Sequence, residues 1–291
     1  MAVAEREIRT KAASQGGWMM VYRRLTKNKA AMVGAVLVGL FVVSALFAPL
    51  LAPYDPLEPV APPLEPPSAS HPLGTDYLGR DILSRIIFGA RVSLQVGVAA
   101  VGIALVVGTL VGAVSAYYGG WADLIVMRVM EIMLSFPSIL LAIAIMAIMG
   151  PQLINAMIAV GIVAIPTYAR LVRSSVLSVK EHEYTEAAVA IGATDLRIIL
   201  LHVLPNCLAP LIVQATLGIA TAILDTAALS FLGLGAQPPT PEWGAMLSDT
   251  REYIQRAPWV MTFPGLAIMI SVLGFNLLGD GLRDALDPRL K

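Results

Sequence analysis

The chain has 291 residues, of which 57% are hydrophobic and only 14% charged, and its mean hydropathy is +0.76. Soluble domains carry roughly 25% charged residues, so this composition excludes a water-soluble globular protein and predicts an all-α polytopic membrane protein. A formal net charge of zero gives no basis for nucleic-acid binding, the single Cys207 excludes an intrachain disulfide, and the scattered His71, His182 and His202 offer no metal cluster.

Residues 1–29 are polar and basic and are expected to lie on the cytoplasmic surface, drawn weakly to anionic membrane lipid. Residues 30–51 form an uncharged run of 22, enough at about 1.5 Å per residue to cross a hydrocarbon core of about 30 Å. Its length and the 29 residues before it favour a retained span over a cleaved leader. Nine prolines in 49–72 predict an extended outer spacer without a core. Beyond it, Gly74 and Gly79 predict turns. Ile82, Leu83, Ile86 and Ile87 opposite Arg80, Asp81, Ser84 and Arg85 predict a short interfacial helix feeding the second span.

In the second span, 92–122, Ala100, Ala104, Gly108, Gly112 and Ala116 recur every fourth residue. Such a stripe lets helix backbones approach closely, either inside the chain or at a seam between subunits. Tyr117, Tyr118 and Trp121 stand where an aromatic belt is expected. Arg128 and Glu131, three apart, are expected to pair on one helical face. Residues 132–169 form an uncharged run of 38, too long for one crossing and interrupted by Gly150 and Pro151. Pro137 permits a kink, serving either motion or static shape. With 207–229 and 259–279 the expected total is six transmembrane helices. Asp225, late in the fifth span, is either a group on the solute path or a charge near the outer interface where water reaches it. The outer loop 237–258, with Glu242, Trp243, Asp249, Arg251 and Glu252 and with Trp259 just beyond, reads as a receiving surface or an interfacial loop.

Fifteen of the twenty Lys and Arg fall on one side if the N-terminus is inside. That bias predicts both termini and loop 180–205 in the cytoplasm. The stretch 183–205 is too polar to cross a bilayer and too regular for a spacer. Tyr184, Ala187, Ala188 and Ile191 fall at helical spacing on one apolar face, with His182, Glu183 and Glu186 opposite. Gly192 stands where a helix end needs the left-handed conformation, Thr194 and Asp195 are candidate caps for a second helix, and Pro205 is expected to close the element. From these residues alone, an amphipathic hairpin resting on the membrane is as good a reading as a docking surface.

Glu186, Ala187, Ala188, Gly192, Leu204 and Pro205, at this spacing and between these spans, closely resemble the EAA loop of ABC importer permeases. His202 departs from the general pattern, in the manner of the peptide-transporting branch. Residues 71–94 resemble the segment preceding the permease core in the C-type subunit of oligopeptide, dipeptide and nickel importers. Glu131 with Ser135 to Pro137, residues 229–235 and residues 279–289, which include Asp287, Pro288 and Arg289, also resemble the family. Family members commonly carry Glu where Thr226 stands, so Asp225 is displaced by one position.

The resemblance implies a type I ABC importer permease fold. It would consist of a cytoplasmic segment 1–29, a first transmembrane helix 30–51, an outer loop 52–91, a permease core 92–280 with the EAA loop 180–205, and a tail 281–291. It implies a partner permease of a different, B-type chain, two cytoplasmic ABC ATPase subunits and an extracytoplasmic solute-binding protein. Tyr184, Glu186, Ala187, Ala188, Ile191, Gly192, Leu204 and Pro205 would couple to the ATPases. The chain has no Gly-Lys dipeptide and hence no P-loop, and HExxH and GxSxG are absent, so it is read as a transport subunit without a cofactor or catalytic residues. Oligopeptides or dipeptides are the expected cargo, with nickel chelates, glutathione or another small solute as alternatives. An ion-coupled secondary transporter would need ionisable groups at mid-membrane, and Asp225 is the main candidate.

Overall fold

The computed structural model describes residue 19 and residues 21–286. Most of the expected N-terminal surface segment lies outside the described residues, as do Asp287, Pro288 and Arg289. The main helices are α1 (Lys29–Leu46), α2 (Ile82–Tyr118), α3 (Gly120–Ser135), α4 (Ser138–Met149) and α5 (Leu153–Lys180). They are followed by α6 (Glu183–Ala190), α7 (Asp195–Phe231), α8 (Trp243–Thr250) and α9 (Trp259–Leu286). Five of them, α1, α2, α5, α7 and α9, are long and apolar enough to cross a bilayer, and the count reaches six with α3 and α4 as one broken span.

The break in that span is sharper than a proline kink, because α3 and α4 meet at 97°. Phe136 takes an extended backbone, φ −91° and ψ 141°, as a residue before proline prefers. At the other end of α4, Gly150 has φ +88°, and the Asn155 side chain donates to the carbonyls of Met149 and Gly150 at 2.8 and 3.0 Å. Those carbonyls, at the C-terminal end of α4, would otherwise lack a partner within the helix.

Along α2 a stripe of small residues is turned inward. Ala100, Ala104, Gly108, Gly112 and Ala116 are buried, whereas Val106, Leu110 and Val114 on the same helix are exposed. The buried stripe packs along α5: a Cβ at Gly108 would come within 2.6 Å of the Tyr168 Cβ, and one at Gly112 would collide with the Ala169 backbone. Lipid tails give no hydrophobic drive for helix association, so this contact is dispersion at close range. One core joins α2, α4, α5 and α7 to the 183–205 hairpin. A second joins α1, α2, α7, α8 and α9, with Phe41 against the rings of Trp243 and Phe275 at centroid distances of 5.8 Å.

The Pro-rich segment between α1 and α2 is a packed cap, not the spacer expected from composition. Val60 N–H donates to the Gly79 carbonyl, Leu64 N–H to that of Asp76, and Thr75 N–H to that of Glu65. These bonds fold it over a buried polar cluster. Asp81 caps α2 by accepting from the Ser84 N–H and hydroxyl at 2.8 and 2.7 Å, and His71 Nδ1 lies 3.1 Å from its other oxygen. Asp76 accepts from Arg80 Nε at 2.7 Å, and Arg85, 2% exposed, donates to the Pro56 carbonyl at 3.0 Å. Composition suggested an open chain because the partners that order it are distant in sequence. The interfacial helix expected before the second span is the first turns of α2 itself, one continuous helix of 37 residues.

The 232–258 loop packs on this cap. Tyr77 and Tyr253 stack at 6.0 Å, and Trp243, 2% exposed, donates from Nε1 to the Ile86 carbonyl at 3.1 Å. Trp243 is thus a core residue and not a surface anchor. Glu242 caps α8 through the N–H groups of Gly244 and Ala245, and burial raises its carboxyl above the usual range against the pull of those donors. Asp249 is also raised, by burial, with Arg85 and Arg80 pulling it down.

Candidate functional site

The hairpin begins where α5 ends. Thr185 and Ala188 point inward, and the Thr185 hydroxyl donates to the Val179 carbonyl at 2.9 Å, which seats α6 on α5. The helix closes in a Schellman turn: Gly192 N–H reaches the Val189 carbonyl, Ala193 N–H reaches the Ala188 carbonyl, and Gly192 has φ +82° with open space around its Cα. Tyr184, Glu186, Ala187 and Ile191 are exposed. The single apolar face expected of Tyr184, Ala187, Ala188 and Ile191 is therefore split, with Ala188 inside and the other three outside. Thr185 takes the inward position because its hydroxyl has a carbonyl waiting at the end of α5.

Thr194 stands at the N-terminus of α7 without a side-chain capping bond, and the Asp195 carboxylate instead accepts from the Tyr117 hydroxyl at 2.9 Å. Lys180 Nζ donates to the Tyr117 carbonyl at 2.7 Å. Pro205 does not close the hairpin. A π-helical turn, Ile199–Val203, precedes it, the Leu204 N–H reaches back to the Ile199 carbonyl, and the helix runs on from Asp195 to Phe231. The wider turn absorbs the proline, which lacks an N–H and would crowd a regular helix. Leu204 is half-buried against the inner core and Pro205 is exposed. Leu196, Leu200 and Leu201 extend the exposed apolar surface of Ile191. A rigid, amphipathic element is thus presented outward, seated by its own hydrogen bonds.

Within the helices, α2, α5, α7 and the α3–α4 break enclose a cavity of about 320 Å³. Its wall includes Val101, Met133, Phe136, Val160, Val163, Thr167, Tyr168, Gln214, Thr221 and Asp225. A wider cavity of about 630 Å³, lined by Leu171, Asn206, Pro210, Gln214, Leu217 and Arg283, shares Gln214 with it. Between them the Tyr168 hydroxyl donates to the Gln214 carbonyl at 3.2 Å. Irregular backbone at membrane depth, such as Phe136-Pro137, is tolerated where it is buried in protein or lines a water-filled cavity. Here it lines one.

Residues 83–291 match the family described as binding-protein-dependent transport system inner membrane component, and residues 17–67 match the N-terminal TM domain of oligopeptide transport permease C. The chain belongs to the binding-protein-dependent transport permease family. It is 57% identical over 276 residues to the dipeptide transport system permease protein DppC of Alkalihalophilus pseudofirmus, covering 94% of this chain and 90% of that one. The di/tripeptide transport system permease protein DppC of Pseudomonas aeruginosa is 53% identical, covering 93% and 91%. The glutathione transport system permease protein GsiD of Escherichia coli is 49% identical, covering 94% and 91%. Among solved structures, an inward-facing MetNI methionine ABC transporter superposes with a TM-score of 0.58 at 23% identity, covering 71% of this chain and 98% of that one. The fold is that of a type I ABC importer permease, a multi-pass membrane subunit and not itself an enzyme.

In this permease Arg128 and Glu131 pair at 2.8 Å, both exposed, so the pair sits on the surface of α3. A stronger tie escaped the sequence reading. Arg173 donates from Nε and Nη2 to the two oxygens of Asp123 at 2.8 and 2.6 Å, a two-point clamp between α3 and α5. Its members are 50 residues apart, beyond any local spacing rule. Tyr117 was legible only as an aromatic-belt residue, because its partners Asp195 and Lys180 are brought to it by the fold.

Proposed function

We propose that this chain is the C-type permease subunit of an importer for dipeptides or short oligopeptides, working with a different, B-type permease chain. Two ATPase subunits dock from the cytoplasm, one of them on the 183–205 hairpin and the other on the partner permease, and an extracytoplasmic solute-binding protein delivers cargo to the opposite face. Both termini lie in the cytoplasm, on the side that carries most of the Lys and Arg. The observation that carries this reading is the 53–57% identity, over more than nine-tenths of both chains, to permeases named for dipeptide or di/tripeptide transport. Among the described residues no group of three or more His, Cys, Asp or Glu is placed to hold a metal, which favours peptides over a bare metal ion as cargo.

Coupling follows from α7. Its 37 residues run from the hairpin to the outer loop, a distance of about 55 Å at 1.5 Å per residue. A displacement where the ATPases dock is therefore carried by one element to the cavity wall at Gln214, Thr221 and Asp225. Tyr117 and Lys180 hold the same hairpin to α2 and α5, so those helices move with it as packed bodies. Alternation of access then requires two packed arrangements, with ATP binding selecting one.

The test is uptake of labelled dialanine into proteoliposomes holding the assembled permeases and ATPases, with ATP in the lumen and the solute-binding protein outside, on the extracytoplasmic face. Uptake is expected to require ATP and to survive an ionophore that collapses ion gradients. Uptake abolished by the ionophore and indifferent to ATP would point to a secondary transporter instead.

A further inference from the structure

The smaller cavity has one carboxylate in its wall, Asp225 on α7. Among the described residues it forms no hydrogen bond or ion pair, whereas the carboxylates of Asp76 in the cap and Asp123 in the α3–α5 clamp are each paired with an arginine. The wall contains no Lys, Arg or His that could neutralise it. Neighbouring Thr226 is 1% exposed, so the helix turns the acid toward the cavity and the threonine into the core. An unpaired carboxylate inside a membrane protein is costly unless water or a cationic ligand meets it. The cavity supplies the room, since about 320 Å³ falls in the range of roughly 300–1,000 Å³ typical of small-molecule sites.

The rest of the wall limits what that ligand can be. Thr167, Gln214 and Thr221 offer uncharged donors and acceptors, and Met133, Val160 and Val163 offer apolar surface. One carboxylate among such groups makes a poor site for a divalent metal, which takes several oxygen or nitrogen ligands. It is a good site for a single ammonium attached to a small, partly polar body. We propose that Asp225 binds the protonated amino terminus of the peptide as it passes through the permease, while Thr167, Gln214 and Thr221 meet its amide and carboxylate. The apolar wall then accepts side chains without selecting among them. This assignment rests on the peptide reading above and adds the group that recognises the feature all unmodified peptides share.

The test uses the assembled importer in proteoliposomes with its solute-binding protein and labelled dialanine. Three forms are compared: wild type, Asp225→Asn and Asp225→Glu. Asp225→Asn is expected to lower uptake by about tenfold or more, as loss of one partner of a desolvated charge pair does. Its ATP hydrolysis, stimulated by the loaded binding protein, should stay within about twofold of wild type, because the hairpin and its ties are untouched. Asp225→Glu should recover most of the uptake. Equal uptake by wild type and Asp225→Asn would overturn the assignment. So would a parallel loss of uptake and stimulated hydrolysis that Asp225→Glu does not repair, since that pattern marks a purely structural role. Wild type that hydrolyses ATP on addition of the loaded binding protein yet imports no dialanine would instead refute the peptide reading, and this assignment would fall with it.

Discussion

The Tyr117 hydroxyl donates to the Asp195 carboxylate at 2.9 Å and so joins the C-terminal end of α2 to the first residue of α7. Residues 78 positions apart in sequence thereby hold the hairpin against the transmembrane bundle. Lys180, bonded to the carbonyl of the same tyrosine, adds the end of α5 to the joint. Three helices meet where the ATPases are proposed to push.

Tyr117→Phe keeps the ring and removes the bond. Loss of one such hydrogen bond to a charged acceptor lowers stability by about 1 to 2 kcal/mol. The larger expected effect is on coupling, with peptide imported per ATP hydrolysed falling severalfold while hydrolysis continues. Unchanged stoichiometry in reconstituted importer would remove the joint from the mechanism.

Gly112 and Gly102 lie on the same helix and differ in what surrounds them. A side chain at Gly112 would collide with the Ala169 backbone, and one at Gly102 meets nothing within 4 Å. Gly112→Val is expected to destabilise the permease by about 1 to 3 kcal/mol, the usual penalty of overpacking, and to reduce its yield in membranes. Gly102→Val should be nearly neutral, since β-branching alone matters little on an open face. Thermal unfolding in detergent checks both, and equal shifts would contradict the packing described.

Hairpin chemistry was readable from local sequence, in part. Gly192 announced its left-handed turn because no other residue type adopts φ +82° as freely, and that requirement is local. Gly150, at φ +88°, marked a break for the same reason, and Pro137 marked one by holding Phe136 in an extended conformation. Prolines as such did not: Pro166, Pro205, Pro210 and Pro264 all lie within helices that continue past them. Which residues of α6 face inward depended on the Val179 carbonyl at the end of α5, and the cavity around Asp225 depended on the packing of α2, α5 and α7 with the α3–α4 break. The cap over Asp76, Asp81 and Arg85 was misread as a spacer because its order comes from pairs invisible to composition.

Gly192→Val places a β-branched residue at φ +82°, with space for the side chain but strain in the backbone. The expected penalty is about 1 to 2 kcal/mol at that residue. Because the turn sets the angle between α6 and α7, binding-protein-stimulated ATP hydrolysis should fall more than the yield of assembled complex. Gly192→Asn, better tolerated in that conformation, should retain more activity. Equal activity of both variants with wild type would show that the turn is not required.

The raised Glu242 carboxyl has a pH signature. An acid raised by burial keeps its proton in the folded chain at pH values where the unfolded chain has released it. Across that window the native state binds more protons, so stability falls as pH rises from the ordinary glutamate value to the raised one, and levels off above. The slope for one proton is at most about 1.4 kcal/mol per pH unit. Glu242→Gln should flatten it, as read by thermal unfolding in detergent between about pH 4 and about pH 8. An identical slope in both forms would assign it to other groups.

Cross-linking tests the docking of ATPases on the hairpin most directly. The only native cysteine, Cys207, is buried, so a cysteine introduced on the surface reacts against a quiet background. Ile191→Cys, at a position 86% exposed, is expected to cross-link to an ATPase subunit in the assembled importer and to change in yield when ATP is added. Leu110→Cys, exposed within the apolar span α2 and away from the hairpin, should give no such product. An intact, transporting complex in which Ile191→Cys never reaches an ATPase subunit, under any nucleotide condition, would contradict the docking surface assigned here.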